Sequence, residues 1–289
     1  RRSIFSNSVL GFDELIWWLG EVAAKVSMES SGGYERGVRH ALEAVGFSVQ
    51  VHNPRRVRRL AQGLGLAAKT DALDARVLAR ASAICPAAPS RSLEREELAE
   101  ISRTIAHLTK ERSDHLKRLA PSWVSQGVRD TLKDLVVSLS KAISELESLY
   151  NKLVQEGDLR LRHHLALSVP CVGPKLARVL TSELPEDLSK WTIRQLASYA
   201  GLAPKDDASG RRVGPSRIGA GNTHLKAALY MPALTATQTQ SWAKELYVKL
   251  RAKGKAHQQA IVAVMRRLLT ICLAVLKRGS AWKPEPQQA

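Results

Sequence analysis

Apolar and polar residues alternate with two different periods along the first 89 residues, and each period is typical of one kind of secondary structure. Residues 9–19 carry apolar side chains at helical spacing, whereas residues 25–29 and 47–51 show the alternation of half-buried strands. Helices that alternate with short strands predict an α/β layer. The further helices predicted in this layer are residues 34–45, 55–64 and 71–83.

Residues 90–166 have a helical pattern throughout. Leucines recur three or four residues apart, and Pro121 and Gly127 separate two long helices. We therefore predict an antiparallel helical or coiled-coil arm that serves as scaffold or dimer contact. The leucines of its apolar stripe are Leu132, Leu135, Leu139, Leu146, Leu149 and Leu153.

Residues 167–282 predict a mainly helical C-terminal domain with one polar, glycine-rich loop at residues 205–222. The fold class is thus α/β plus all-α, with a tail that we expect to be disordered. The helices predicted after the loop are residues 223–237, 241–252 and 256–277. The predicted domains are residues 1–89, 90–166 and 167–282, followed by the tail at 283–289.

The chain of 289 residues contains 44 Lys and Arg but 27 Asp and Glu, which gives a formal net charge of +17. This excess favours a polyanionic partner, because each cation placed on a phosphate releases a condensed counterion. A basic protein that binds no nucleic acid is the alternative interpretation. The hydrophobic fraction of 44% excludes a wholly disordered chain.

Three widely spaced cysteines, Cys85, Cys171 and Cys272, form no CxxC pair, which argues against a disulfide scaffold and against a thiolate zinc site. This cysteine usage favours the reducing cytoplasm. Residues 260–276 form the most apolar segment, but two arginines interrupt it. We therefore predict a buried helix there, and no membrane partner.

Three carboxylates, at two places in the sequence, could hold a metal ion. Asp71 and Asp74 lie three residues apart on a predicted helix, so both side chains project to one side. Like charges held together repel unless a cation such as Mg²⁺ lies between them. Thr70 could instead cap this helix, with Asp71 as a favourable first-turn acid. Glu29 ends a predicted strand, where α/β sheets carry functional groups, although a solvated strand end is the alternative.

Residues 168–177 resemble a helix-hairpin-helix, in which backbone N–H groups and a helix N-terminus bind a DNA phosphate. Gly173 and Lys175 are the candidate contacts there, although Cys171 replaces the usual glycine and Pro174 has no N–H. An ordinary connection between two helices is the alternative. A basic surface for nucleic acid is also predicted on helix 55–64, where the cations are Arg55, Arg56, Arg58 and Arg59.

Ser209 lies in the polar loop beside a cluster of cations. A serine hydroxyl can attack a phosphodiester if cationic groups stabilise the developing charge and a base accepts the proton. Arg211, Arg212 and Arg217 could supply that charge. The alternative is that the Ser-Gly pair only forms a turn.

Several runs of sequence together resemble the bacterial insertion-sequence transposases of family one-ten. These are the DEDD transposases, which include the Piv-type DNA invertases. The runs follow the order of the family, cover nearly the whole chain and are highly specific in combination. They are MESSGGYERGVRHALEAVGFSVQVHNPRRVRRLA, AAKTDALDARVLA, VPCVGPKLARVLTSELPE, LASYAGLAP with DDASGRRVGPSRIGAGNTHLKAALYM, and GKAHQQAIVAVMRRLL.

The resemblance implies a RuvC-like N-terminal domain of the ribonuclease-H fold, joined by a coiled-coil arm to a C-terminal transposase domain. Carried over by position, Glu29, Asp71 and Asp74 would be three of the four acids that hold Mg²⁺. Ser209 would be the nucleophile that forms a transient covalent link to DNA. The family also implies a homo-oligomer, a dimer or tetramer, and a structured bridge RNA. The further nucleic-acid contacts predicted within these runs are Lys69 and Lys226.

The sequence departs from the family at its beginning, because the first family acid lies in a strand of the form I-G-I-D that is absent here. We therefore expect a partial ribonuclease-H fold from a truncated copy, a mis-started reading frame or a degraded element. Our leading hypothesis is a DNA recombinase that exchanges strands through Ser209 with the help of Mg²⁺. The alternatives are an inactive nucleic-acid-binding remnant and a RuvC-like nuclease that hydrolyses DNA with water.

Overall fold

The computed structural model describes residues 3–20, 25–66, 70–85, 91–209, 212–219 and 221–283, and for residues 205–209 and 212–217 it describes the backbone alone. Most of the predicted tail at 283–289 lies outside this range. The chain divides into two compact units, Arg1–Leu93 and Glu94–Ala289.

The first unit is built on a parallel pair of strands, β1 (Lys25–Glu29) and β2 (Ser48–His52). A parallel pair needs a crossover connection, and α2 (Glu35–Ala44) provides it. The other helices of this unit are α1 (Val9–Leu19), α3 (Pro54–Gly63) and α4 (Asp71–Ile84). Helix α4 packs against both strands, and its buried side chains join the core of this unit.

Side-chain caps define the starts of three helices in the first unit. Ser8, Asn53 and Thr70 each accept a hydrogen bond from a backbone N–H of the first turn, at 3.3, 2.9 and 3.4 Å. These caps satisfy N–H groups that have no partner inside the helix. Because such signals are local in sequence, every helix and strand of this unit lies within one residue of its predicted limits. The α/β layer is confirmed, while its RuvC-like topology stays a prediction.

Two long helices, α5 (Leu93–Leu119) and α6 (Gln126–Leu153), lead into the second unit. Arg129 closes the turn between them, because its guanidinium donates hydrogen bonds to three backbone carbonyls of that turn at 2.7–3.1 Å. The predicted break between two long helices is thus confirmed, and their dimer contact stays a prediction. Side chains of both helices share a small core: Leu98, Ile101, Ile105, Ile143, Tyr150 and Val154.

The main core of the second unit is helical, as predicted. Helix α12 (His257–Arg278) lies in this core, and its Ile261, Leu268 and Cys272 are inaccessible to solvent. By length and composition alone α12 could cross a membrane, but half of its apolar window is buried inside this unit, in agreement with the predicted buried helix. The helices around this core are α7 (Gly157–Leu167), α8 (Pro174–Glu183), α9 (Ile193–Tyr199), α10 (Thr223–Thr239), α11 (Ser241–Ala252) and α12 (His257–Arg278).

The polar segment at 205–222 contains a β-hairpin, so the prediction of a glycine-rich loop over the whole segment was wrong. Strand β3 (Pro204–Ser209) pairs antiparallel with β4 (Arg212–Ile218), and Ser209 lies opposite Arg212. The two residues between the strands, Gly210 and Arg211, lie outside the described residues. A two-residue loop that contains a glycine is typical of a β-hairpin. Here this signal is more informative than the polar composition of the flanking residues, which favours a loop.

Candidate functional site

The three predicted metal-binding acids lie in the first unit on two elements that pack together. Glu29 is the exposed last residue of β1, and α4 packs against that strand. Asp71 and Asp74 both lie in the first turn of α4, where Thr70 caps the helix as the alternative interpretation proposed. Within the described ranges, no three His, Cys, Asp or Glu side chains form a group that could hold a metal ion. The acids fit a hard cation by their oxygen donors, but they are not assembled around one position.

The sheet face that carries Glu29 is polar. Glu29 lies beside His52 in the register of β1 and β2, and Ser27 lies beside Gln50. Ser27 Oγ, Gln50 Oε1 and both ring nitrogens of His52 are buried and have no hydrogen-bond partner among the described residues. Burial lowers the pKa of His52, which favours the neutral form of its ring. Sequence reasoning missed this face, although the polar residues at every second position of SVQVH were its signal.

Glu35 organises the loop between β1 and α2. Its carboxylate accepts hydrogen bonds from the backbone N–H groups of Ser31 and Gly33, both at 2.9 Å, and from the hydroxyl of Ser30 at 3.0 Å. Partial burial acts to raise the pKa of Glu35, but these hydrogen bonds outweigh it and lower the pKa to about 2. Both carboxylate oxygens are therefore engaged in shaping the loop that follows Glu29.

Acid should remove the contribution of Glu35 to stability. Its carboxyl has a pKa near 2 when folded against an ordinary value of 4.5, so its contribution is complete above about pH 4.5. That contribution is lost as the pH falls from about 4.5 towards 2. We expect urea unfolding of the wild type and of Glu35→Gln to differ most near neutral pH and to converge across this window. A difference that stays constant from pH 7 to pH 2 would contradict the assignment.

Helix α3 carries the predicted basic surface of the first unit. Arg55, Arg56, Arg58 and Arg59 are all exposed, whereas Val57 between them is buried. The sequence pattern thus produces one apolar contact and an arginine-rich outer face. Lys69, another predicted contact, lies outside the described residues.

The predicted helix-hairpin-helix corresponds to α7, a short turn and α8. Gly173 and Lys175 are exposed at the start of α8, which begins with Pro174. Cys171 has a φ of +66° and is the non-glycine residue with positive φ in the described part of the chain. Cys171 therefore has the backbone conformation of the glycine that is usual at this position of the motif. Phosphate binding at this turn stays a prediction.

Cys171→Gly should be slightly more stable than Cys171→Ala, a variant that loses the same thiol contacts with Thr239 and the core. A left-handed conformation costs a residue with a β-carbon about 1–2 kcal/mol, and the greater freedom of unfolded glycine offsets about 0.5–1 kcal/mol of the gain. We expect Cys171→Gly to have a free energy of unfolding up to about 1 kcal/mol above that of Cys171→Ala, measured as a higher urea midpoint with an unchanged slope. Cys171→Ala keeps the β-carbon and serves as the control. Equal midpoints for the two variants would refute this explanation.

The hairpin that carries Ser209 begins and ends at one tightly packed point. Gly201 has a φ of +70°, and a β-carbon on Gly221 would lie 2.2 Å from the backbone nitrogen of Gly201. Glycine is required at Gly221, because any side chain would collide with this backbone. The N–H of Asn222 also donates to the carbonyl of Tyr199 at 2.7 Å. The base of the hairpin is thus fixed by backbone contacts on both sides.

A buried carboxylate is hydrogen-bonded to the end of the hairpin base. The side chain of Glu183 is 1% exposed, and it accepts two hydrogen bonds from the guanidinium of Arg103 at 2.7 and 2.9 Å. The side-chain amide of Asn222 donates to the same carboxylate at 2.7 Å, and the hydroxyl of Tyr199 donates to the backbone carbonyl of Glu183 at 2.7 Å. Asn222 also caps α10. Glu183 therefore connects α5, α8 and α9 with the end of the hairpin.

Two family models match the chain. The model described as the transposase IS116/IS110/IS902 family matches residues 163–248, and a second transposase model matches residues 1–121. The pilin gene-inverting protein of Moraxella lacunata is 31% identical, over 95% of this chain and 88% of the relative. That of Moraxella bovis shows the same identity and coverage. The chain belongs to the IS116/IS110/IS902 family of transposases.

A more distant relative of the transposase comes from an insertion element. The uncharacterized 43.6 kDa protein of insertion element IS110 from Streptomyces coelicolor is 30% identical, over 53% of this chain and 39% of the relative. The family assignment makes the protein a DNA transposase or recombinase.

The two matched segments of the transposase contain the two groups of candidate residues. The segment 1–121 includes Glu29 and both aspartates of α4, and the segment 163–248 includes Ser209 and Glu183. DEDD transposases generally use a divalent metal ion, to which carboxylate donors are suited. The side chains of Ser209, Arg212 and Arg217 are not described, whereas Lys226 is half-buried in the first turn of α10.

Proposed function

We propose that the transposase breaks and rejoins DNA strands with Ser209 as its nucleophile. The observation that carries the proposal is the position of Ser209 at the end of β3, opposite Arg212, on a hairpin whose base is fixed by Gly221 and Asn222. A nucleophile must be held within a fraction of an ångström of its target, and a rigid hairpin base serves that need. Its place inside the matched transposase segment adds support.

The proposed reaction conserves the energy of the phosphodiester. Ser209 Oγ bonds to phosphorus while the bond from phosphorus to a deoxyribose oxygen breaks. The serine proton passes to a base, and the leaving oxygen takes up a proton. A hydroxyl of a second strand then displaces Ser209, which restores the serine and forms a new phosphodiester. The arginines of β4 would stabilise the charge that develops on the phosphate.

The acids of the first unit would hold Mg²⁺ in the working complex. Glu29 at the end of β1 and the aspartate pair of α4 would be its ligands, and the ion would supply charge stabilisation for the scissile phosphate. Because these side chains do not form a three-ligand group in the described chain, nucleic acid or a second copy would have to complete the site.

The proposed complex contains DNA, a structured guide RNA and more than one copy of the chain. The net charge of +17 supports a large nucleic-acid load, because guided systems leave sequence recognition to base pairing and bind the backbone with cations. Such a complex would form in the cytoplasm, as a dimer or tetramer.

One observation favours a second candidate function. The absence of a three-ligand acid group among the described residues would suit a nucleic-acid-binding remnant that no longer cleaves DNA. Such a protein would still bind nucleic acid through the basic surface of α3 but would no longer cleave DNA strands.

A single assay separates these functions. End-labelled DNA carrying the element ends is incubated with the chain, Mg²⁺ and the flanking non-coding RNA, and is resolved on a denaturing gel. A strand that migrates with covalently attached protein is the expected result. Binding without cleavage would establish the remnant instead, and cleaved strands free of protein would establish a hydrolytic nuclease.

A further inference from the structure

The segment between Glu245 and Glu285 contains no acidic residue, and its cations are concentrated at one turn. Helix α11 ends at Ala252 and α12 begins at His257, so the turn between them is short. We call it the α11–α12 turn and define its cationic cluster as Lys249, Arg251, Lys253 and Lys255.

All four members of the cluster are exposed, and none has a carboxylate within ion-pair distance among the described residues. Some exposed lysines elsewhere in the second unit do form ion pairs. Lys117 lies 3.1 Å from Asp114, and Lys190 lies 3.0 Å from Asp187. Four uncompensated cations on every second residue create a positive surface that a solvated salt-bridge network would not.

The backbone of the α11–α12 turn is held in one conformation. Gly254 has a φ of +76°, its N–H donates to the carbonyl of Arg251 at 2.9 Å, and the N–H of Lys255 donates to the carbonyl of Leu250 at 3.1 Å. The guanidinium of Arg251 donates to the carbonyl of Lys255 at 2.8 Å. This pattern of bonds is the usual way for glycine to end a helix. The cations therefore project from a preformed turn, which lowers the entropy lost on binding.

An aromatic contact joins the two sides of the turn. Tyr247 of α11 hydrogen-bonds His257 of α12 at 2.8 Å between Oη and Nδ1, and their rings meet edge to face with centroids 5.8 Å apart. The first turn of α12 contains no acid, so the positive end of this helix dipole adds to the field of the cluster.

We propose that the α11–α12 turn binds the sugar–phosphate backbone of duplex DNA, as a contact additional to the α3 surface and to the hairpin. Duplex DNA is the partner because transposases act on DNA and its phosphates offer closely spaced negative charges to consecutive cations. Contacts of this kind carry no specificity for the DNA sequence. The proposal rests on DNA binding by the transposase and is independent of the chemistry assigned to Ser209.

The test compares two double variants that remove the same charge. Lys253→Gln with Lys255→Gln neutralises the turn, whereas Lys133→Gln with Lys141→Gln neutralises two exposed lysines of α6 that already lie 3.9 Å from acids. Binding of a 30-base-pair duplex and of an RNA hairpin is measured by anisotropy across a salt series. Thermal melts check that both variants fold like the wild type.

We expect the turn variant to lower the slope of log affinity against log salt by about 0.9 per lost contact, so by about 1.8, with DNA affinity falling roughly 10- to 60-fold at 0.1 M salt. The α6 variant should change the slope by less than about 0.5. Equal losses in both variants, an unchanged slope, or a loss confined to the RNA hairpin would each overturn the proposal. Because the assay measures binding and not strand cleavage, failure of the serine chemistry would not be mistaken for failure of this surface.

Discussion

Replacing Ser209 with alanine should eliminate the covalent protein–DNA intermediate while leaving DNA binding intact. Alanine has no hydroxyl with which to form the phosphoester, and loss of a nucleophile costs roughly a thousandfold or more in rate. The measurement is the fraction of end-labelled DNA that migrates with protein on a denaturing gel. Anisotropy with the same duplex reports binding separately.

Ser216 provides a matched control for this prediction, because it lies on β4 of the same hairpin. Ser216→Ala removes an identical hydroxyl a few residues away and should keep the intermediate within about twofold of wild type. Persistence of the intermediate in Ser209→Ala would remove this serine from the mechanism. Equal loss in both variants would show that the hairpin tolerates no change and that neither serine has been identified as the nucleophile.

The elements of the first unit could be predicted because their signals are local. Asn53 and Thr70 each cap the helix that begins at the next residue, so a few residues suffice to predict the start of the helix. The strand Lys25–Glu29 is recognised from the alternation of polar and apolar residues within its five positions. The hairpin at Ser209 escaped prediction because its strands have polar residues of low strand propensity, so that pairing and not composition defines them.

The candidate site could be predicted only as a set of residue types. Glu29, Asp71 and Asp74 were identified from position in strand and helix, but whether three carboxylates approach one point depends on packing that no local pattern encodes. Their failure to form a three-ligand group within the described chain is therefore information that only coordinates provide. His52 was missed for the same reason, since burial of a histidine depends on what packs against the sheet.

The Glu183 network could not be predicted at all. Arg103 lies 80 residues before Glu183 in the chain and Asn222 lies 39 residues after it, so no window of sequence contains the three together. A lone glutamate near the end of a helix is ordinarily a solvated residue. Only the fold reveals that this one is buried and that it joins an arginine to the cap of α10.

Replacing Glu183 with alanine should destabilise the second unit by about 2–4 kcal/mol, because its removal leaves an amide and a partly exposed arginine charge without their acceptor. Glu183→Gln keeps the shape and part of the hydrogen bonding, so its cost should be smaller, about 1–3 kcal/mol. Urea unfolding of the second unit measures both. Glu145→Ala, which removes an exposed acid 3.9 Å from Lys141, should change stability by less than about 0.5 kcal/mol.

A double-mutant cycle decides whether the loss comes from the network or from a cavity. If Arg103 and Glu183 stabilise the unit as a pair, Arg103→Ala in the Glu183→Ala background should cost little, because its partner is already gone. If the loss comes from the empty volume left by Glu183, the losses of stability from the two substitutions should add.

The Glu183 network should also affect the hairpin, since Asn222 shares the same carboxylate. Glu183→Gln, if it folds, should therefore form the covalent intermediate more slowly at saturating DNA while its DNA affinity stays unchanged, which separates an effect on the position of Ser209 from an effect on binding.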